Sequence, residues 1–329
     1  MKNMFQQGIT TLRDMAGNGS ALRALKQLGY NKESPYPRVH FSCLITGSDF
    51  IANDPRVTET VGNSTAGSEA WFRTLDNTTN VEDLIVQAKN FGCTGLKLYA
   101  DISAANAKRI IAAAKQQDFP IWAHGALFDA SPWDIVGVHS FSHADFFNFV
   151  TITPVPDFRT FNESYTEVFA QTTMSSQKMT DYFDEMIQNN TILDATLSVY
   201  EDAFDDEQAM VRFAHAVTKA AYEHGVKIGA GVDESNDNIE TTDTHKLLQE
   251  LKLLKEVANM TTMDVLKAAT IHNAIALGID KEYGTVEKGK KADLIFLNQN
   301  PFDDLDNLTS VFLSLKRGMN TIFKQPICT

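Results

Sequence analysis

Four side chains suited to metal chemistry stand at the same place relative to short apolar runs: Lys97 in GLKLYA, His124 in IWAHGA, His143 in SFSHADFF and Asp233 in KIGAGVDES. Two neutral imidazoles suit zinc and its neighbours, and a carboxylate either ligates or works as a base. Lys97 is the odd member, because an unpaired ammonium inside an apolar run is too costly to keep without a purpose and cannot itself ligate. Reaction of the amine with carbon dioxide would turn it into a carbamate with two oxygen donors. Tyr99, two residues beyond Lys97 and so on the same strand face, can line a pocket beside it. Arg13, at the end of an earlier run, can meet a substrate carboxylate or form a structural ion pair with Asp14 or a loop. The remaining histidines read more blandly: His139 as a turn residue, and His215, His224, His245 and His272 as helix surface or packing residues.

For these side chains to meet, the apolar runs that carry them must be neighbouring strands. Seven strand-like runs can be counted: GITTLR, RVHFSCLIT, GLKLYA, PIWAHGA, VHSFSH, TILDATLS and VKIGAGVD. Between them lie amphipathic stretches with helix signals. Thr79 or Asn80 can cap a helix with Val81, Leu84, Ile85, Ala88 and Phe91 on one face, closed by Gly92, and Ser103 can cap the next. Strand and helix in steady alternation predict a parallel sheet, and in a parallel (β/α) barrel the carboxyl ends of the strands converge on one face. A closed barrel needs eight strands, so the expectation is a TIM-like (β/α) barrel over 1–283 lacking its first strand, which would lie before Met1. A small C-terminal β appendage over 284–329 follows. The open edge is expected to be filled by a homo-oligomer partner, by Met1 to Gln7, or not at all. Thr46 to Asn80 reads as a long loop, and Phe146 to Phe161 as an aromatic loop that shapes substrate access or covers the barrel.

The bulk composition excludes several partners. A net charge of -13 disfavours nucleic acid and anionic membranes, and 43% hydrophobic with 22% charged residues is ordinary for a globular chain. No apolar run approaches the roughly 20 residues needed to span a bilayer. The first residues also lack the basic-then-apolar order of a secretory signal. Cys43, Cys93 and Cys328 are too few and scattered for a disulfide framework and read as buried or incidental thiols. KGKK at 288–291 reads as a solvated turn. Seven N-x-Ser/Thr sequons, headed by Asn18, Asn63, Asn77, Asn162, Asn189, Asn259 and Asn307, read as a product of an Asn- and Thr-rich composition.

GITTLRDMAG, GLKLYA, IWAHGA, the histidine of SFSHAD, IGAGVDES and the run AATIHNAIALGIDKEYGTVEKGKKADLIFL together resemble the metal-dependent amidohydrolase superfamily, in its imidazolonepropionase-like and Xaa-Pro-dipeptidase-like branch. The resemblance covers nearly the whole chain in order. It implies hydrolysis of an amide or related C–N bond by metal-activated water. Lys97 then matches a carbamylated bridging lysine, His124 and His143 the histidines of the fifth and sixth barrel strands, and Asp233 the aspartate of the eighth. The family's first strand carries a His-x-His pair that this sequence does not contain, and its β-sandwich draws strands from the same region, so the appendage is expected to be an incomplete sandwich. Ser142 and Ala144 stand where related sequences tend to have Glu and Gly. The implied site holds one divalent ion, zinc by ligand type, on Lys97, His124 and His143, with Asp233 as a further ligand and as the proton carrier. The implied substrate is a small amide, such as a dipeptide ending in proline or a cyclic amide. Two rivals are a truncated, catalytically impaired protein with a binding role only, and a deaminase of the same superfamily. Lys97 counts against the deaminase, since those sites normally lack it.

Overall fold

The computed structural model describes residues 2–31, 34–152, 154–155, 169, 172–200, 208–233 and 245–321. Its strands are β1 (Thr11–Asp14), β2 (Arg38–Thr46), β3 (Ser68–Glu69), β4 (Phe72–Thr74), β5 (Gly95–Leu98), β6 (Ile121–His124), β7 (Ser140–Ser142), β8 (Ile192–Asp194), β9 (Ile228–Gly229), β10 (Leu294–Leu297), β11 (Val311–Lys316) and β12 (Met319–Thr321). Each of the seven anticipated runs contains one strand of a parallel ladder, in the order β1-β2-β5-β6-β7-β8-β9. The fold is therefore α/β with a mostly parallel sheet. All nine residues of β2 are buried, as expected of a strand covered on both faces.

Helices cross between the strands where the caps require. Asn80 accepts from the Asp83 amide, the helix Val81–Phe91 buries Val81, Leu84, Ile85 and Ala88, and Gly92 ends it at φ +113°. Ser103 caps Ala104–Gln116 in the same way. Each helix lays its apolar stripe on the sheet and returns the chain to the edge where the next parallel strand begins. The sheet curls far enough for Arg13 of β1 to reach across it. Its guanidinium lies 5.0 Å from the centre of the Trp122 ring on β6, and its two terminal nitrogens donate to Ser140 of β7 and Asp194 of β8. Among the described residues no ladder joins β9 to β1.

Two expectations are corrected. The stretch from Thr46 to Asn80 is not one long loop: it holds short helices at Ser48–Asn53 and Arg56–Val61 and the hairpin β3–β4. The cause is the Trp71-Phe72 pair, both buried, which lets β4 add parallel to residues 44–46 of β2 beyond the end of β1. The cysteines are not all thiols. Cys43 on β2 and Cys93 just before β5 form a disulfide with Cα atoms 5.6 Å apart, because β2 and β5 are paired neighbours. Both residues are buried.

Beyond the parallel sheet, β10, β11 and β12 form a separate antiparallel sheet. It is tied to the start of the chain: Ser314 donates to the Phe5 carbonyl, and buried Lys316 donates to the carbonyls of Gly29, Ser34 and Tyr36, each at 2.9 Å. A buried ion pair, Arg38 with Asp293 at 2.6 Å, joins the foot of β2 to the residue before β10. KGKK behaves as a surface turn, with Lys290 facing Glu287 and Lys291 paired with Glu282.

Candidate active site

The carboxyl ends of β5 to β9 bring the four singled-out residues to one place. Lys97 is the third residue of β5 and is 3% exposed. His124 closes β6, His143 follows β7, and Asp233 lies four residues beyond β9. The imidazole rings of His124 and His143 are 4.8 Å apart at their centres, and Asp233 Oδ2 lies 3.7 Å from His143 Nε2. Tyr99 packs against His124 with ring centres 4.6 Å apart, and Phe146 with ring centres 4.8 Å apart. Asp233 is the exposed member, with half of its side chain open to solvent.

The tautomers follow from the partners. His124 Nδ1 lies 3.0 Å from the Ala126 carbonyl, which can only accept, and 3.4 Å from the Ala126 amide; the shorter contact places the hydrogen on Nδ1. His143 Nδ1 lies 2.9 Å from Thr196 Oγ1, and the threonine hydroxyl itself donates to the Ala195 carbonyl, so Nδ1 donates here too. Both Nε2 atoms are left with a lone pair, the arrangement that orients a ligating histidine. Burial keeps both imidazoles neutral. It pushes His143 down to about 3, with the Lys97 charge adding to the effect, and holds His124 well below its usual range.

Lys97 is pushed down to about 8, chiefly by burial, with Asp233 opposing the shift, Arg13 adding to it and Asp194 opposing it. A neutral amine is the form that reacts with carbon dioxide, so the environment suits carbamylation. Among the described residues no three His, Cys, Asp and Glu side chains are grouped to hold an ion by themselves. Lys97 is not of those four types and would add donors only as its carbamate. Two neutral imidazoles with Nε2 lone pairs, a buried lysine of lowered pKa and a carboxylate fit a divalent ion by donor type.

Two further features were not singled out from the sequence. Asp194, the last residue of β8, sits in the same strand-end position as His124 in β6, which was the available signal. Its Oδ2 accepts from Arg13 at 2.8 Å and from Ser142 Oγ at 3.4 Å. Arg13 therefore has its terminal nitrogens committed inside the sheet and pairs with Asp194 instead of Asp14. A Cβ on Gly231 would come within 2.2 Å of the Asp194 carboxylate, so only glycine passes there. The second feature is backbone strain: His143, Thr196 and Asp233 have φ of 77°, 54° and 45°. Non-glycine residues in this region cost about 1–3 kcal/mol each and gather where function needs them.

His139 accepts from the Ile121 amide beside β6 and β7, and His272 donates to the Ile228 carbonyl, both structural roles. His224 on Gln208–His224 pairs with Asp184 at the surface. The side chain of His245 and the stretch 156–161 of the aromatic loop lie outside the described residues. No helix among the described residues is long and apolar enough to cross a membrane.

A curled parallel α/β sheet here gathers histidines, a lysine and an aspartate at its carboxyl edge, the face on which such sheets carry their active sites. The chain belongs to the Amidohydrolase family, whose sequence profile matches residues 1–323. It is 42% identical over 78 residues to the 5'-deoxyadenosine deaminase of Methanobrevibacter smithii, covering 22% of this chain and 18% of that protein. It is 26% identical over 131 residues to the imidazolonepropionase of Thermoplasma acidophilum, covering 39% of this chain and 28% of that one. The matched segments thus span less than a third of either relative. Among solved structures, a Xaa-Pro dipeptidase with methionine bound in its active site superposes with a TM-score of 0.69 at 19% identity, covering 98% of this chain and 77% of that one. Ochratoxinase of A. niger gives 0.71 at 19% identity, covering 100% and 75%. These structural likenesses support the fold.

Proposed function

We propose that the chain is a metal-dependent hydrolase of carbon–nitrogen bonds acting on a small amide, a dipeptide or a cyclic amide. The observation that carries this is the convergence of Lys97, His124, His143 and Asp233 on one strand-end face, with both Nδ1 atoms tied back and His143 Nε2 facing Asp233. Membership of the Amidohydrolase family, with imidazolonepropionase and deaminase relatives, supports the same chemistry.

In this reading Lys97 as its carbamate, His124 and His143 would hold one divalent ion, zinc by ligand type. When bound, such an ion supplies Lewis-acid activation of water and of the scissile carbonyl. The chain's own residues do the rest. Asp233, open to solvent on one side and beside His143 on the other, takes the proton of the attacking water and returns it to the leaving amine. Tyr99 and Phe146 wall the histidines and exclude water behind the substrate. Arg13 acts as a positioning residue: it holds Asp194 and Ser140, and so fixes the floor on which Lys97 stands.

The test combines elemental analysis with hydrolysis of a panel of dipeptides and cyclic amides. Near-stoichiometric metal, with turnover abolished in Lys97→Ala and Asp233→Asn, is expected. A folded chain that is metal-free and inert on the panel would leave the binding-only reading. Full turnover in Asp233→Asn would reject the proton role given to Asp233. Retained metal in Lys97→Ala would remove the carbamate from the ligand set.

A further inference from the structure

Seven of the chain's 21 asparagines head N-x-Ser/Thr sequons. Ser and Thr make up 47 of the 329 residues, so chance alone would give about three such triplets. Asn162 lies outside the described residues, and the fold divides the other six into two groups. Asn18 caps the helix Gly19–Tyr30 with its Oδ1, while its Nδ2 donates to the Thr60 carbonyl at 3.0 Å. Asn307 donates to the Asn300 carbonyl at 2.8 Å, and Asn189 to the Glu185 carbonyl at 2.9 Å. A glycan on any of these three nitrogens would compete with an internal contact.

Asn63, Asn77 and Asn259 are different. All three are exposed, and their side-chain amides make no hydrogen bond among the described residues. Asn63 and Asn77 lie in turns and Asn259 in an irregular link, none within a strand or helix. Asn63 follows Gly62, the φ +57° cap of Arg56–Val61. Asn77 sits in a turn fixed from behind by Asp76, whose Oδ1 accepts from the Thr78 and Thr79 amides. Asn259, itself at φ +57°, links His245–Glu256 to the helix capped by Thr261. The third sequon position is threonine in every case: Thr65, Thr79 and Thr261.

An independent feature points to the same history. The Cys43–Cys93 disulfide is buried, and such bonds form and persist in oxidising compartments. We propose that Asn63, Asn77 and Asn259 are N-glycan acceptors and that the chain matures in a compartment that both oxidises thiols and glycosylates asparagine. In the first step the two thiols give up two electrons and two protons to a protein or glutathione disulfide, which is reduced to two thiols. In the second, the asparagine Nδ2 forms a bond to the anomeric carbon of an oligosaccharide carried on a lipid diphosphate. The bond from that carbon to the phosphate oxygen breaks, the lipid diphosphate leaves, and the amide nitrogen loses one proton.

The experiment uses the protein isolated from the cells that make it, mapped as non-reduced peptides with and without peptide-N-glycosidase treatment. Expected are asparagine-to-aspartate conversion at 63, 77 and 259, no conversion at 18, 189 and 307, and a linked Cys43–Cys93 peptide pair. In a secreting host, Asn63→Gln, Asn77→Gln and Asn259→Gln should each remove one step of gel mobility, which keeps the test open even if the triple variant folds poorly. Unmodified asparagine at all three positions, conversion at Asn18 and Asn307, or alkylation of free Cys43 and Cys93 before reduction would each overturn the proposal.

Discussion

The pair between Arg13 and Asp194 joins the first strand of the parallel ladder to one of the last, and replacing Asp194 by Asn isolates the guanidinium. The pair's nitrogen and oxygen are 2.8 Å apart, and the two side chains are 14% and 10% exposed, so solvent does little to screen them. With charge centres about 4 Å apart and an effective dielectric near 20, their attraction is about 4 kcal/mol. Removing one partner of a buried pair costs roughly 3–5 kcal/mol, because the other charge stays buried without compensation. Ser140 and the Trp122 ring remain beside Arg13 and neither supplies an opposite charge. Urea unfolding at neutral pH should therefore show a loss of about 3–5 kcal/mol for Asp194→Asn. The double variant Arg13→Met, Asp194→Leu should recover most of that loss, since both charges leave together. If Asp194→Asn unfolds within about 1 kcal/mol of the unaltered chain, the pair is no clamp across the sheet. A double variant as unstable as the single one would show that the packing matters and the charges do not.

Three further outcomes follow. Replacing Cys43 and Cys93 by serine opens a closure of 50 residues and should lower stability by about 4 kcal/mol in the chain-entropy account, read as a shift in the denaturation midpoint; an unchanged midpoint would refute it. Buried Glu250 accepts from the Ser198 amide and is pushed up to about 8 by burial. The folded chain thus keeps a proton that the unfolded chain releases, and stability should fall by roughly 1.4 kcal/mol per pH unit between the ordinary carboxylate range and about 8. Glu250→Gln should flatten that slope in urea titrations at stepped pH, and parallel profiles would count against it. Thr196→Val removes the acceptor for His143 Nδ1 and should weaken metal binding about 10- to 100-fold in a competition assay without unfolding the chain; unaltered affinity would mean that the threonine does not orient the ring.

The parallel ladder was legible because each strand is a short apolar run closed by a turn or a cap, and periodicity reports that directly. Lys97, His124 and His143 could be found for a related reason: a polar residue at the end of such a run has no packing purpose. Asp194 satisfies the same test and was passed over, because nothing local distinguishes a carboxylate that pairs with Arg13 from one that faces solvent. The partners of Arg13 and of Cys43 depend on which strands become neighbours. Cys43 and Cys93 are 50 residues apart and meet only because β2 pairs with β5. The hairpin inside Thr46 to Asn80 was hidden for another reason, since a polar, glycine-bearing stretch gives little sign that Trp71 and Phe72 anchor it.

The left-handed backbone at His143, Thr196 and Asp233 places a specific limit on improving this protein. Asp233 is the half-exposed member of the three, so its substitution to glycine would release about 1 kcal/mol or more of strain with little packing lost, and a screen for heat resistance should return to it repeatedly. Under the proposed function such a gain would delete the proton carrier, so selection for sturdiness alone would drive the molecule toward an inert scaffold. Selection under paired pressure, for survival and for turnover together, should instead leave these three positions untouched and gather its changes on the helices outside the sheet.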